Sequence, residues 1–270
     1  MIPPRPASSP SIGMLDSGVG GWSVLIEVDR LLPQVPIHYV GDSSWCPYGT
    51  KSPEQICERV FALTDYLLAE GATMIVVACN SATIHAVGAL RAAYPVPIVG
   101  MEPGVKPAAE LTVRGIVGVL ATEASIAGEK FHQLVHNHAA GVRVITRPCP
   151  RFVELVEEGQ LEGSEAEAAV AEALEPLLEA GADVIVLGCT HYPFLRHLIE
   201  ATLPAGVRLV DTGPAVARRV VQVLGENASG NEIPGAIRRV ETTGDYERLL
   251  SLAPRLLPNL SFTLGVCGIA

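Results

Sequence analysis

Lysine is scarce in this chain of 270 residues: Lys51, Lys106 and Lys130 are the whole complement, and 19 Lys and Arg face 29 Asp and Glu. The resulting net charge of −10 makes the average surface repel a long polyanion, so no nucleic-acid partner is expected. None of the three lysines ends a buried apolar run, which argues against a pyridoxal Schiff base. Long hydrophobic runs are missing as well. No stretch approaches the roughly 20 apolar residues of a membrane span, and the Pro-rich start (Pro3, Pro4, Pro6, Pro10) lacks the charged and apolar regions of a secretion signal. A cytoplasmic protein with no membrane partner is expected. The six cysteines, Cys46, Cys57, Cys79, Cys149, Cys189 and Cys267, include no C-x-x-C pair. That spacing suits neither a disulfide scaffold nor paired zinc ligands, so free thiols and no metal are expected. Gly18-Val19-Gly20-Gly21 begins like a dinucleotide loop, but Ser23 holds the place of the third glycine and no GxxxxGK[ST] follows anywhere.

What the sequence has instead is an internal repeat. Ser52-Pro53-Glu54-Gln55 reads as a capping box with proline at the first helical position, opening a helix that runs to Gly71. Met74–Ala78 is then a short apolar run of strand type leading to Cys79-Asn80-Ser81. The second half repeats the plan: Ser164 with Glu167 reads as a capping box, the helix runs to Gly181, and Val184–Leu187 leads to Cys189-Thr190-His191. The two cysteines stand 110 residues apart. Ile12–Asp16 likewise resembles Val117–Ala121, and Ile98–Gly100 resembles Leu209–Asp211. Continuously apolar strands alternating with capped helices imply parallel sheets covered on both faces.

The expected fold is α/β, with two pseudo-symmetric domains, each a mainly parallel sheet flanked by helices. Residues 1–11 are expected to be a disordered lead, 12–99 with 210–270 the first domain, and 100–209 the second. Ligands of such sheets bind beyond the carboxyl ends of the strands, where both Cys79 and Cys189 fall. Across a pseudo-twofold axis the two strand ends would share one cleft.

Two thiols facing one ligand suit inversion of a carbon that bears a single hydrogen. A thiolate removes the proton from one face, and a thiol delivers another to the opposite face. A helix N-terminus or a neighbouring histidine favours thiolate, and Asn80-Ser81 and Thr190 are good cap residues for a following helix. The other four cysteines are expected to be structural, Cys57 within a helix. Lys51 is expected to be a solvated surface charge, and Glu157 to lie on a solvated helix surface, with a reach into the site as the alternative.

Asp16-Ser17-Gly18-Val19-Gly20-Gly21, Pro47-Tyr48-Gly49-Thr50-Lys51-Ser52, Ala78-Cys79-Asn80-Ser81-Ala82 and Leu187-Gly188-Cys189-Thr190-His191-Tyr192-Pro193 carry a specific resemblance. Through them the chain resembles the glutamate racemases of the aspartate/glutamate racemase superfamily, from Ile12 nearly to the end. Weaker matches include Glu102-Pro103-Gly104, Cys149-Pro150 and Glu157-Glu158-Gly159. The resemblance implies cofactor-independent racemisation of glutamate, supplying D-glutamate for peptidoglycan. It also implies Cys79 and Cys189 as the acid/base pair, with Asp16 and His191 assisting proton transfer beside them. Asp16, Ser17, Tyr48, Gly49, Asn80, Ser81, Thr190 and His191 would hold the substrate, and a homodimer is expected. The chain departs from the family pattern at Ser44-Trp45-Cys46, where an arginine usually precedes Pro-Tyr-Gly, and at Ser81, Gly128 and Phe131. The competing readings are a racemase of aspartate or another small amino acid, a non-catalytic acidic-ligand-binding protein, and a thiol redox protein.

Overall fold

The structure is a computed structural model that describes residues 10–225 and 237–269. Most of the lead expected at 1–11 lies outside those residues, but Ser11 is anchored, its amide donating to Thr73 Oγ1 (3.0 Å) and its carbonyl accepting from Thr73 N (2.9 Å). Among the described residues ten strands follow in chain order: β1 (Ile12–Asp16), β2 (Ile37–Gly41), β3 (Met74–Val77), β4 (Ile98–Gly100), β5 (Ile116–Ala121), β6 (Arg143–Pro148), β7 (Val184–Gly188), β8 (Arg208–Asp211), β9 (Arg238–Thr242) and β10 (Thr263–Val266).

The strands form two sheets, ordered β10-β9-β2-β1-β3-β4 and β6-β5-β7-β8, and every pairing is parallel. The order β2-β1-β3-β4 therefore recurs as β6-β5-β7-β8, with β9 and β10 added at one edge of the larger sheet. This is the repeat of the sequence expressed as topology. β8 spans the expected boundary at 209/210, and all four of its residues pair with β7 in the smaller sheet. β1, β3 and β7 are buried along their whole length, as apolar strands covered on both faces must be.

The repeat extends to packing. Gly13 in β1 lies under the helix Pro53–Ala69, and a Cβ there would meet Ala72 Cβ at 2.9 Å, Ile75 Cδ1 at 3.0 Å and Leu67 Cβ at 3.1 Å. Gly118 in β5 lies under the helix Ser164–Glu179, and a Cβ there would meet Ile185 Cδ1 and Leu177 Cδ1, each at 2.8 Å. In both halves a glycine lets the covering helix approach the central strand through an equivalent Leu, Leu67 or Leu177, beside an equivalent Ile of the neighbouring strand, Ile75 or Ile185. The first helix opens as expected: Ser52 Oγ accepts from Gln55 N, and the Gln55 side chain accepts from Ser52 N. The second does not. Gly163, at φ 97°, occupies the cap position, so Ser164 is the first helical residue and makes no side-chain cap bond.

A methyl group added at Gly118 has no room, whereas one at the exposed helical Gly88 meets, among the described residues, only Lys130 Nζ, at 3.5 Å. Gly118→Ala is expected to destabilise by about 1–3 kcal/mol through overpacking. Gly88→Ala is expected to stabilise by about 0.5–1 kcal/mol through helix propensity. Urea unfolding measures both, and a loss of stability at Gly88 or none at Gly118 would contradict the packing described.

Candidate active site

Cys79 follows β3 in an extended conformation and is itself the N-cap of the helix Asn80–Ala93, its sulfur accepting from Ala82 N at 3.5 Å. Asn80 and Ser81 are thus first-turn residues rather than caps. Cys189 follows β7 but meets no comparable helix end. Pro193 disfavours α geometry at Tyr192, and only a 3₁₀ turn, Tyr192–Leu195, precedes the short helix Arg196–Thr202. The partner of the Cys189 sulfur is His191 Nδ1, at 3.7 Å. The expectation of two thiols at two helix ends is therefore corrected: one has a helix, the other an imidazole.

Both sulfurs line one pocket between the two sheets, with Ser17, Tyr48, Asn80, Ser81, Thr190 and His191. Its free volume, about 10 Å³, is room for roughly one water, so a larger ligand requires the pocket to widen. Asp16 and Gly49 do not line it; Asp16 lies behind the wall and Gly49 packs toward Thr122. Pro47, Thr122 and Val153 line it without having been singled out from the sequence. Thr122 was within reach of the repeat: it follows β5 as Ser17 follows β1, and its Oγ1 lies 2.9 Å from Ser81 Oγ. Asn80 is buried, and neither its amide nitrogen nor its amide oxygen has a partner among the described residues. A buried amide left in that state is suited to a polar ligand.

Two buried carboxylates hold the seam. Asp16 Oδ2 accepts from Gly18 N (3.1 Å) and Gly21 N (2.9 Å), and its Oδ1 accepts from Thr190 Oγ1 at 3.3 Å. Glu157, expected on a solvated surface, is 7% exposed, and its Oε1 accepts from Val19 N (2.9 Å) and lies 2.8 Å from His191 Nε2. It ends the helix Pro150–Glu157, which turns this terminal side chain into the seam instead of toward solvent. The Gly-rich turn is what makes room. A Cβ on Gly18 would lie 1.9 Å from Glu157 Oε1, and one on Gly20 would lie 2.3 Å from His191 Nδ1.

These environments set the protonation states. Burial would push Glu157 up, but the His191 hydrogen bond and charge and the Val19 amide hold it below its ordinary value. Burial would push His191 down, but hydrogen bonds with Cys189, Cys46 and Glu157 hold it well above its ordinary value. Burial and the Asp16 charge push the Cys79 thiol well up, partly opposed by the Ala82 amide and the Ser17 hydroxyl. Burial raises the Asp16 carboxyl, with His191 and the Gly21 and Gly18 amides opposing.

The Asp/Glu/Hydantoin racemase family model matches residues 23–220. A glutamate racemase of Ectopseudomonas mendocina is 47% identical over 251 residues, covering 93% of this chain and 95% of that protein. One from Herpetosiphon aurantiacus is 51% identical, covering 79% and 84% of the two chains. The chain belongs to the glutamate racemase family. Among solved glutamate racemases, one from Bacillus anthracis aligns with a TM-score of 0.86 at 30% identity, over 96% of this chain and 98% of its own. One from Escherichia coli, solved with L-glutamate and an activator, aligns with a TM-score of 0.85 at 32% identity, over 97% and 99%.

Where the chain departs from the glutamate racemase pattern, the loop is tied down by a relay of contacts. Arg59 lies over the Trp45 ring at 5.1 Å and pairs with the buried Asp42 (2.7 Å), which accepts from Tyr48 Oη at 2.6 Å. Lys51, expected to be solvated, is partly buried, and its Nζ lies over the Trp45 ring, 5.9 Å from the centroid. Cys46 points its sulfur at Glu157 Oε1, at 3.5 Å.

The ion pair of Glu157 and His191 makes stability depend on pH with a defined sign. Glu157, lowered from 4.5, adds stability that is present above that value and lost as pH falls through its folded pKa. His191, raised from 6.5, adds stability that is complete below that value and lost as pH rises through its folded pKa. Glu157→Gln is therefore expected to lower the unfolding free energy by about 3–5 kcal/mol near pH 6, with the difference shrinking toward pH 3. Urea titrations across that range check it, and a pH-independent difference would contradict the pair.

Proposed function

We propose that this enzyme interconverts L- and D-glutamate without a cofactor, Cys79 and Cys189 exchanging the α-proton from opposite faces, and that the D-glutamate serves peptidoglycan synthesis. The observation that carries the reading is the presence of both sulfurs in one pocket, each contributed by an equivalent strand end of the repeat. The L-glutamate and D-glutamate found in solved relatives support the choice of substrate.

In this mechanism one cysteine, as thiolate, takes the α-proton while the other, as thiol, gives its own proton to the opposite face; the roles exchange for the other enantiomer. The α-hydrogen is a weak acid, so a strong base is useful. Burial and the charge of Asp16 disfavour thiolate at Cys79 and so make that thiolate more basic once formed. The Asn80–Ala93 helix end and the Ala82 amide give the developing charge a partner. At Cys189 the imidazolium of His191 supplies the complementary charge, and Glu157 fixes that ring through its other nitrogen. Asp16 and Glu157 act as positioning residues. The side chains of Asn80, Ser17, Ser81 and Thr190 and the first-turn amides offer donors for two carboxylates, and Asn80 Oδ1 an acceptor for the ammonium.

Cys79→Ser and Cys189→Ser are each expected to lower racemisation by about 10²–10⁴-fold or more, followed polarimetrically from either enantiomer. Cys57→Ser, whose sulfur merely donates to His85 O at 3.3 Å, should change the rate less than about twofold. Comparable losses at all three positions would mean that packing, not proton transfer, was disturbed.

A further inference from the structure

We propose that Cys46, Glu157 and His191 form a binding site for a soft or borderline divalent cation, with Zn²⁺ as the best fit, whose occupation reversibly stops turnover. The ligand atoms, one thiol sulfur, one carboxylate oxygen and one imidazole nitrogen, all lie within 4.8 Å of one another. Cys46 Sγ is 3.5 Å from Glu157 Oε1, which is 2.8 Å from His191 Nε2. Tetrahedral Zn²⁺, with bonds of about 2.0–2.3 Å, sets its ligands about 3.3–3.6 Å apart, so the three side chains need move only by about an ångström. Sulfur together with imidazole selects Zn²⁺ over Mg²⁺ or Ca²⁺.

The surroundings fit such a site. His191 turns its other nitrogen toward the Cys189 sulfur at 3.7 Å, and Glu157 accepts from the Val19 amide at 2.9 Å, so two of the ligands already have outer partners. Gly18 has no side chain to intrude where a Cβ would lie 3.1 Å from Cys46 Sγ and 1.9 Å from Glu157 Oε1. Cys46 is half-buried while Glu157 and His191 are buried, which makes the Cys46 side the way in. No oxidation state changes on binding: the Cys46 thiol and the His191 imidazolium each release one proton to solvent, and the cation takes their place. Inhibition rests on the role of His191 proposed above, because a ring bound through Nε2 can neither rest on Glu157 as an imidazolium nor change its charge with Cys189.

The test is titration of the whole protein with Co²⁺ under reducing conditions, reading the near-ultraviolet thiolate-to-cobalt charge-transfer band. One Co²⁺ per chain is expected. Cys46→Ser is expected to remove the band and to weaken binding by about tenfold or more, and Cys79→Ser and Cys189→Ser to retain it. A band that survives in Cys46→Ser, or that disappears with either of the other two, would place the metal on the pocket thiols and overturn the proposal. X-ray absorption of the Zn²⁺-loaded native protein needs no variant: one sulfur among nitrogen and oxygen ligands is expected, and two sulfurs overturn it. Added Zn²⁺ should suppress racemisation of the native enzyme, a chelator should restore it, and Cys46→Ser should need about tenfold more Zn²⁺ for the same loss. Equal sensitivity of the two proteins would overturn the inhibitory role. The absorption reading does not depend on turnover, so a failure of the two-thiol mechanism and a failure of metal binding give different results.

Discussion

Asp16 and Glu157 are carboxylates buried in the seam between two sheets, and much of the local structure exists to satisfy them. Removing an ion from water costs several kcal/mol even after relaxation, so each must find donors that do not need solvent. Asp16 finds two amides of the glycine turn and the Thr190 hydroxyl; Glu157 finds the Val19 amide and His191. Because those donors come from both halves, the same bonds that satisfy the charges also join β1 to the segment after β7. The glycines follow from this arrangement: any side chain at Gly18 or Gly20 would occupy the place of Glu157 or of the His191 ring.

The repeat supplies symmetry at the level of topology, and the pocket departs from it where charge is concerned. Strand order, the glycine beneath each covering helix and the two cysteines all recur. The devices beside the sulfurs do not. Cys79 has a 14-residue helix and a hydroxyl, whereas Cys189 has an imidazole braced by a carboxylate. Under the proposed mechanism both sulfurs must serve as acid and as base, so two unlike environments perform matching tasks. A helix end acts through fixed dipoles, while His191 acts through a proton it can hold or lose. The half of the site at Cys189 is therefore the one open to interference by an ion that competes for that ring.

Periodicity, caps and the cysteine spacing made the architecture legible in the sequence, because parallel strands buried on both faces must be continuously apolar and their helices must be punctuated. The two cysteines were legible as site residues for the same reason, since both sit at strand ends; Ser17, Tyr48, Asn80, Ser81 and Thr190 were named as substrate contacts by the family resemblance, and one pocket brings them together with the cysteines. Glu157 was not legible in that way. A glutamate at a helix end is ordinarily solvated, and only the tertiary approach of the glycine turn and His191 gives it partners. Ser164 misled because a cap serine and a first-turn serine look alike until Gly163 takes its left-handed conformation. Cys46 carried no signal of its own, since its proximity to Glu157 spans 111 residues of chain.

The two-faced transfer at the heart of this account is tested most directly by following L-glutamate in heavy water at low conversion, with isotope content resolved for each enantiomer. If separate sulfurs remove and deliver the hydrogen, the D-glutamate formed carries solvent deuterium at its α-carbon while the remaining L-glutamate stays unlabelled. D-glutamate that keeps the original hydrogen would mean that a single group carries the proton from one face to the other, and the account would be wrong.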